Sequence, residues 1–405
     1  MSDIKLERKI VWLAALIQLA NVLDFMIVLP LGPDLTKAIN IQSSNMGLVT
    51  GIYTFSAAFS AIIVARYLDR YDRKKAVVFF LIGLVISTCL AAFAWNTFTI
   101  LAARTLAGMF GGPVTALSLS MVVDMVPLER RGRAMAIVGS AFTVASVFGI
   151  PLALWIAYYF NWQMPFFVIA GFGALVTIGV IKLLPSMKGH IVDKNDKNRL
   201  TVSVLSMFKR REMILSFLMI SMTSFAAFII ISATIIYFTF NLGYPREELG
   251  TLYFVGGIIS FAAMMLSGRI VDLYGARLLS LITAIFYALV IADGFLHIPY
   301  MSVLFVFVLF MMCSAVMSVI TSTIASEAPM SHERAAFMSL QTTFRHLAAG
   351  FGGLLSSIIL TSDADGFLYN VDYVAMITII CILTLPFLIV ILRKELNKRQ
   401  QLSFP

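Results

Sequence analysis

Residues 65–74 read Ala65-Arg66-Tyr67-Leu68-Asp69-Arg70-Tyr71-Asp72-Arg73-Lys74, and residues 268–277 read Gly268-Arg269-Ile270-Val271-Asp272-Leu273-Tyr274-Gly275-Ala276-Arg277. The stretches stand 203 positions apart, and each separates two long apolar runs. Pro127 and Pro329 open a second pair of polar connectors, 202 positions apart. Gly149 and Gly352, inside the apolar runs that follow, are again 203 apart. A near-constant offset over three landmarks marks the chain as two copies of one unit.

The composition says where those copies reside. Of 405 residues, 60% are hydrophobic and 13% charged, with a mean hydropathy of +0.93. That charged share is about half what a soluble domain carries, which excludes most soluble enzyme folds. A helix needs roughly 20 mainly apolar residues to cross a bilayer. Twelve stretches qualify: 10–31, 46–67, 74–94, 97–123, 134–158, 164–184, 213–239, 249–268, 277–296, 300–325, 335–361 and 370–392. The runs are too long and too continuous for barrel strands. The first carries Asp24 and no small-residue cleavage site, so it reads as a retained span rather than a signal peptide. The expected fold is an all-α integral membrane protein of twelve helices in two pseudo-symmetric six-helix bundles. Residues 1–184 form the first bundle, the basic segment 185–211 a linker, and residues 212–405 the second. Cys89, Cys313 and Cys381 fall in apolar stretches, where neither a disulfide framework nor a cysteine metal site is expected.

Lys and Arg set the orientation. With the N-terminus inside, 26 of the 30 basic residues fall in inner segments, and only Lys37 and Arg246 in outer loops. Arg104 and Arg345 lie within spans. Both termini are therefore expected in the cytoplasm, in a bacterial inner membrane. The net charge of +9 marks cytoplasmic loops rather than a nucleic-acid partner. Parallel six-helix repeats are a transporter design, with the substrate site near the midplane between halves.

The G-x-x-x-D-x-x-G-x-R spacing of the two quoted connectors resembles the signature loop of the major facilitator superfamily, a resemblance that covers essentially the whole chain. Arg104-Thr-Leu-Ala-Gly108 looks like that family's Arg-x-x-x-Gly element in the fourth span. Gly149-Ile-Pro151 looks like a reduced form of the antiporter Gly-Pro motif in the fifth. The subgroup it resembles is the twelve-helix drug:proton antiporter branch, which includes sugar and siderophore exporters. Ala65 and Asp72 stand where the first loop has glycines, and Ala145, Ala153 and Leu154 replace glycines around Gly149.

The connectors suggest a conformational latch of Asp69, Arg70, Arg73, Gly268, Asp272, Gly275 and Arg277. Its acids meet helix N-termini or arginines in one arrangement and release them in another. The plainer reading makes the basic residues topological anchors. At Gly149 and Pro151 a span loses a Cβ and a backbone hydrogen bond, and so can bend. Close helix packing explains the glycine equally well.

Ionisable groups at bilayer depth are functional by default. Asp24 and Arg104 each sit about seven residues from an outer span end, roughly 10 Å deep at ~1.5 Å per residue. This equal depth permits pairing. Asp24 is the expected proton carrier and Arg104 the group that adjusts its proton affinity; the alternative is a static ion pair. Arg345 and His346 lie near the midplane of the eleventh span, with Gln341 one turn away. Arg345 suits a carboxylate or phosphate, and His346 a second proton or a pH switch. Asn21 and Tyr53 complete the expected solute contacts.

No metal spacing, phosphate loop or nucleophile constellation is evident, and no cofactor is expected. Lacking an ATP-binding motif, transport must use a gradient or run downhill. The leading expectation is a monomeric, proton-coupled exporter of a small organic solute, embedded in lipid. An alternative is a carrier, in either direction, of an anion such as a carboxylate metabolite or polycarboxylate siderophore, held by Arg345 and His346. A non-transporting sensor would need no buried ionisable groups, and an enzyme is not expected.

Overall fold

Backbone polar groups have no water partner in lipid, so apolar runs of this length must satisfy themselves as helices. The computed structural model, which describes residues 4–68, 71–187, 207–330 and 333–403, follows that rule. α1 (Ile4–Met26) leads to the short α2 (Gly32–Ile39), then α3 (Met46–Leu68), α4 (Arg73–Ala92) and α5 (Thr97–Met125). The fifth crossing is composite: α6 (Leu128–Gly139), α7 (Ala141–Val144), a π-helical turn (Ala145–Gly149) and α8 (Ile150–Tyr159). α9 (Met164–Leu183) completes the first six crossings. The second six are α10 (Arg211–Ile236, closed by a π turn at Tyr237–Asn241), α11 (Leu249–Tyr274), α12 (Ala276–Phe295), α13 (Val303–Ala325), α14 (Arg334–Ile359) and α15 (Val371–Ser403).

Among the described residues, eleven helical stretches are long and apolar enough to cross a membrane. The twelfth, α14, has 26 residues but carries Gln341, Arg345 and His346, which lower its apolarity. Its length suffices to span. Several boundaries differ from expectation. α1 starts and ends earlier than 10–31, and residues 27–31 form a turn leading into α2, where Pro33 occupies an N-terminal helical position. α11 continues to Tyr274, well beyond 268, because the polar turns past a membrane edge still satisfy their own backbone. The fold is all-α apart from one small element, β1 (Thr361–Ser362) paired antiparallel with β2 (Leu368–Tyr369) around Gly366, whose φ is +89°.

The chain divides into two compact units, and they depart slightly from 1–184 and 212–405. One comprises Met1–Gln42, Val49–Arg199 and Arg246–Phe254; the other Ser43–Leu48, Leu200–Pro245 and Val255–Pro405. The start of α11 thus belongs with the first unit. There Arg246 grips Asp34 of α2 through Nε and Nη2, at 2.6–3.0 Å. The start of α3 belongs with the second, where a Cβ on Gly47 would meet the Gly353 carbonyl of α14.

The repeat is visible in the ion pairs as well. In the first unit Arg130 donates to Glu7 at 2.7 Å. Positions 210 and 333, each 203 further on, hold Arg210 and Glu333, which pair within the second unit. The two sites are equivalent with their charges exchanged. Each ties the entry of its unit's first helix to its second polar connector.

Glycines set how closely helices approach. A Cβ at Gly352 would lie 2.8 Å from the Phe225 carbonyl of α10, and one at Gly149 would strike Leu23 of α1. These repeat-related glycines therefore both serve close packing. On α5, a Cβ at Gly108 would run into the Tyr53 carbonyl, and one at Gly112 into the Ala57 carbonyl, both on α3. Backbone cannot yield as a side chain does. Gly112→Leu should therefore destabilise the protein by about 1–3 kcal/mol, as overpacking does, read as a lower thermal midpoint in detergent.

Candidate functional site

The described end of the first connector, from Tyr71, leads into α4. Asp72 accepts from the Lys74 amide (2.9 Å), capping α4, and also from the Ser186 hydroxyl (2.5 Å) and the Met187 amide (3.0 Å). Its repeat partner Gly275 meets the same turn differently, with a φ of +81° that disfavours any Cβ. Aspartate in place of glycine is thus a working substitution. Arg73 is buried and pairs with Asp124 of α5 at 3.2 Å, within its own unit. Asp69 and Arg70 lie outside the described residues. Gly268 lies within α11, as does the backbone of Asp272, and Arg277 is exposed in the first turn of α12.

A π turn at Ala145–Gly149 precedes Pro151, where the sequence suggested a bend. Pro151 has no N–H to donate, and just before it the helix widens to a π turn in which the Ile150 amide reaches back to the Ala145 carbonyl. Such turns are established sites of helix bending.

Asp24 of α1 and Arg104 of α5 are both wholly buried, and Arg104 Nη1 donates to Asp24 Oδ1 at 3.1 Å. Thr88 of α4 donates to the same oxygen at 2.7 Å. The Tyr53 ring of α3 lies over the guanidinium, 4.4 Å from Cζ to centroid. The Tyr53 hydroxyl donates to Asn21 Oδ1 (3.2 Å), and Asn21 Nδ2 to Thr115 (2.7 Å). Further along α1, Gln18 accepts from Ser118 at 3.0 Å. Asp24 Oδ2 and Arg104 Nε and Nη2 are buried with no hydrogen-bond partner among the described residues. The carboxylate therefore keeps one oxygen free while the other is held twice. This arrangement can carry a proton without dismantling its support.

Sequence reasoning named Asp24, Arg104, Asn21 and Tyr53, and the fold gathers them from three helices. It missed Thr88 and Thr115. Hydroxyls in these spans mostly bond their own helix carbonyls, as Ser120 does to Ala116 at 2.8 Å. Nothing local distinguishes those that reach across.

The second constellation lies on α14. Arg345 Nη2 donates to Ser322 of α13 at 3.2 Å, and Arg345 forms no ion pair among the described residues. His346 and Gln341 are half-buried beside it. The cation thus has a neutral partner and remains available to an anion. Asp293 is engaged elsewhere, accepting from the Tyr300 and Met301 amides at 3.2 and 3.3 Å.

A sequence profile described as Major Facilitator Superfamily matches residues 14–353 and 227–401. The chain belongs to the major facilitator superfamily. This superfamily member also shares its fold with solved transporters. It is similar to a D-xylose–proton symporter at 14% identity, over 93% of this chain and 96% of that one, with a TM-score of 0.75. The nucleoside transporter NupG matches at 15% identity over 96% and 99%, TM-score 0.73. The inward-open xylose transporter XylE from E. coli matches at 14% over 94% and 95%, TM-score 0.71. The chain is a multi-pass membrane transporter of this superfamily.

Proposed function

We propose that this transporter couples solute movement to protons and exports a small organic molecule by alternating access. One observation carries the reading: a wholly buried Asp24–Arg104 pair whose second carboxylate oxygen has no partner among the described residues. Buried charges are costly and mark proton relays and substrate pathways in membrane proteins. The connector residues Asp69, Arg70, Arg73, Gly268, Asp272, Gly275 and Arg277 serve as the latch between its states, and the π turn before Pro151 as the bend. The 26-to-2 distribution of basic residues supports cytoplasmic termini in a bacterial inner membrane. The protein works as a monomer in lipid, without cofactor or nucleic acid. Members of the superfamily are generally not enzymes.

A second reading keeps the fold and specifies the solute. Arg345, with only a neutral hydroxyl beside it, favours an anionic solute such as a carboxylate, in either direction. The two readings meet in an anion exporter.

The test is a thermal-shift screen of anionic, cationic and neutral solutes on the purified protein across pH, followed by flux of each hit in proteoliposomes. An imposed pH gradient should drive accumulation that a protonophore collapses. Flux indifferent to the gradient would overturn the coupling.

A further inference from the structure

Arg104 presents a problem that the Asp24 contact does not solve. A guanidinium has five N–H donors, and here only Nη1 has an oxygen partner among the described residues. Its planar face is covered instead. Tyr53, 2% exposed, lies over Cζ at 4.4 Å. A desolvated cation gains most from an aromatic face.

The ring is itself held in place. Its hydroxyl is tied to Asn21, Asn21 to Thr115, and Phe25 lies beside it with centroids 5.2 Å apart. Gly111 makes this possible. A Cβ there would strike the Tyr53 hydroxyl and lie 2.6 Å from Asn21 Oδ1, in the space the hydrogen bond occupies. Asn21 is 5% exposed, so face, hydroxyl and anchor are all committed inside the unit.

We propose that Tyr53 is a positioning residue of the coupling site: its ring face holds the Arg104 guanidinium on Asp24, and Asn21, given room by Gly111, fixes the ring. The proposal rests on Asp24 being the proton carrier. It makes Tyr53 and Asn21 support for the ion pair rather than solute contacts. The aromatic face is the essential property, and the hydroxyl only orients it.

The test is infrared difference spectroscopy of the full-length protein in lipid, following its buried carboxylic-acid band across pH. Loss of the band in Asp24→Asn assigns it; persistence of the band would overturn the proton-carrier reading itself. With the band assigned, Tyr53→Phe should give a profile close to that of the parent. Tyr53→Leu should displace it about tenfold toward tighter proton binding, because a carboxylate that loses a well-placed cation holds its proton more strongly. Should Tyr53→Leu fail to fold, Tyr53→Met, which also removes the aromatic face, takes its place with a displacement in the same direction. An undisplaced profile in the Leu or Met variant overturns the clamp and leaves the Asp24 reading standing. Equal displacement in Phe and Leu also overturns it, since the hydroxyl would then be the essential group.

Discussion

Asp24→Asn should abolish proton-driven transport while leaving solute exchange measurable. Asparagine is close to isosteric and can still meet Arg104 and Thr88, but it has no proton to take up or release. The substitution also leaves Arg104 as a buried cation without its counter-ion, and breaking a buried pair costs about 3–5 kcal/mol. Loss of transport alone would therefore be ambiguous. Two measurements separate the causes. Counterflow exchange, which needs no net proton movement, should survive in the variant, whereas gradient-driven accumulation should fall to the level of protein-free liposomes. Adding Arg104→Gln removes the stranded cation, so the double variant should recover much of the thermal stability and none of the coupling. Full coupling in Asp24→Asn would remove Asp24 from its role.

Arg345→Gln should weaken an anionic solute far more than a cationic or neutral one. The side chain lies on α14 with only the Ser322 hydroxyl as its polar partner among the described residues. Hydrogen bonds to a charged group contribute about 1.5–3 kcal/mol, so an anion in contact with Arg345 should bind roughly 10- to 150-fold less tightly in the variant. Arg345→Lys should fall between, because an ammonium supplies the charge without the planar fork. Isothermal titration of the thermal-shift hits provides the measurement. Equal losses for anions and cations would show that Arg345 holds α14 in place instead of selecting the solute.

Much of the architecture was legible because the bilayer permits so few solutions. An apolar run of about 20 residues must become a helix in lipid, so the crossings could be counted without knowing how they pack. Their ends were less legible. Once a helix leaves the hydrocarbon its backbone can bond to itself or to water, and α11 runs on to Tyr274 while α1 stops at Met26. Gly149 shows a different limit. Its sequence neighbours allowed a bend or close packing equally, and only the tertiary structure shows which residue packs there, Leu23 of α1.

For the candidate site, charge and depth marked Asp24, Arg104 and Arg345, since a buried charge is too costly to be incidental. Depth alone could say only that Asp24 and Arg104 were able to meet. Their partners were invisible to it: Thr88 and Ser322 look like every other hydroxyl until a neighbouring helix brings an acceptor or donor within reach. Tyr53 was noticed as a polar aromatic, but its position over Arg104 depends on how closely α3 approaches α5, which Gly108 and Gly112 allow.

The amino-acid sequence by itself determined the solvent, the number of crossings, their expected orientation and the internal repeat. Each follows from hydrophobic length, charge placement or spacing, which are properties of the chain in one dimension. Only the tertiary structure decided that Asp24 spends one oxygen on Arg104 and Thr88 and keeps the other. It also decided that Tyr53 covers the cation, and that Arg345 has a hydroxyl rather than an acid beside it. Those contacts join residues from different helices, two of them more than 60 positions apart, at distances set by side-chain packing. No periodicity along the chain encodes them.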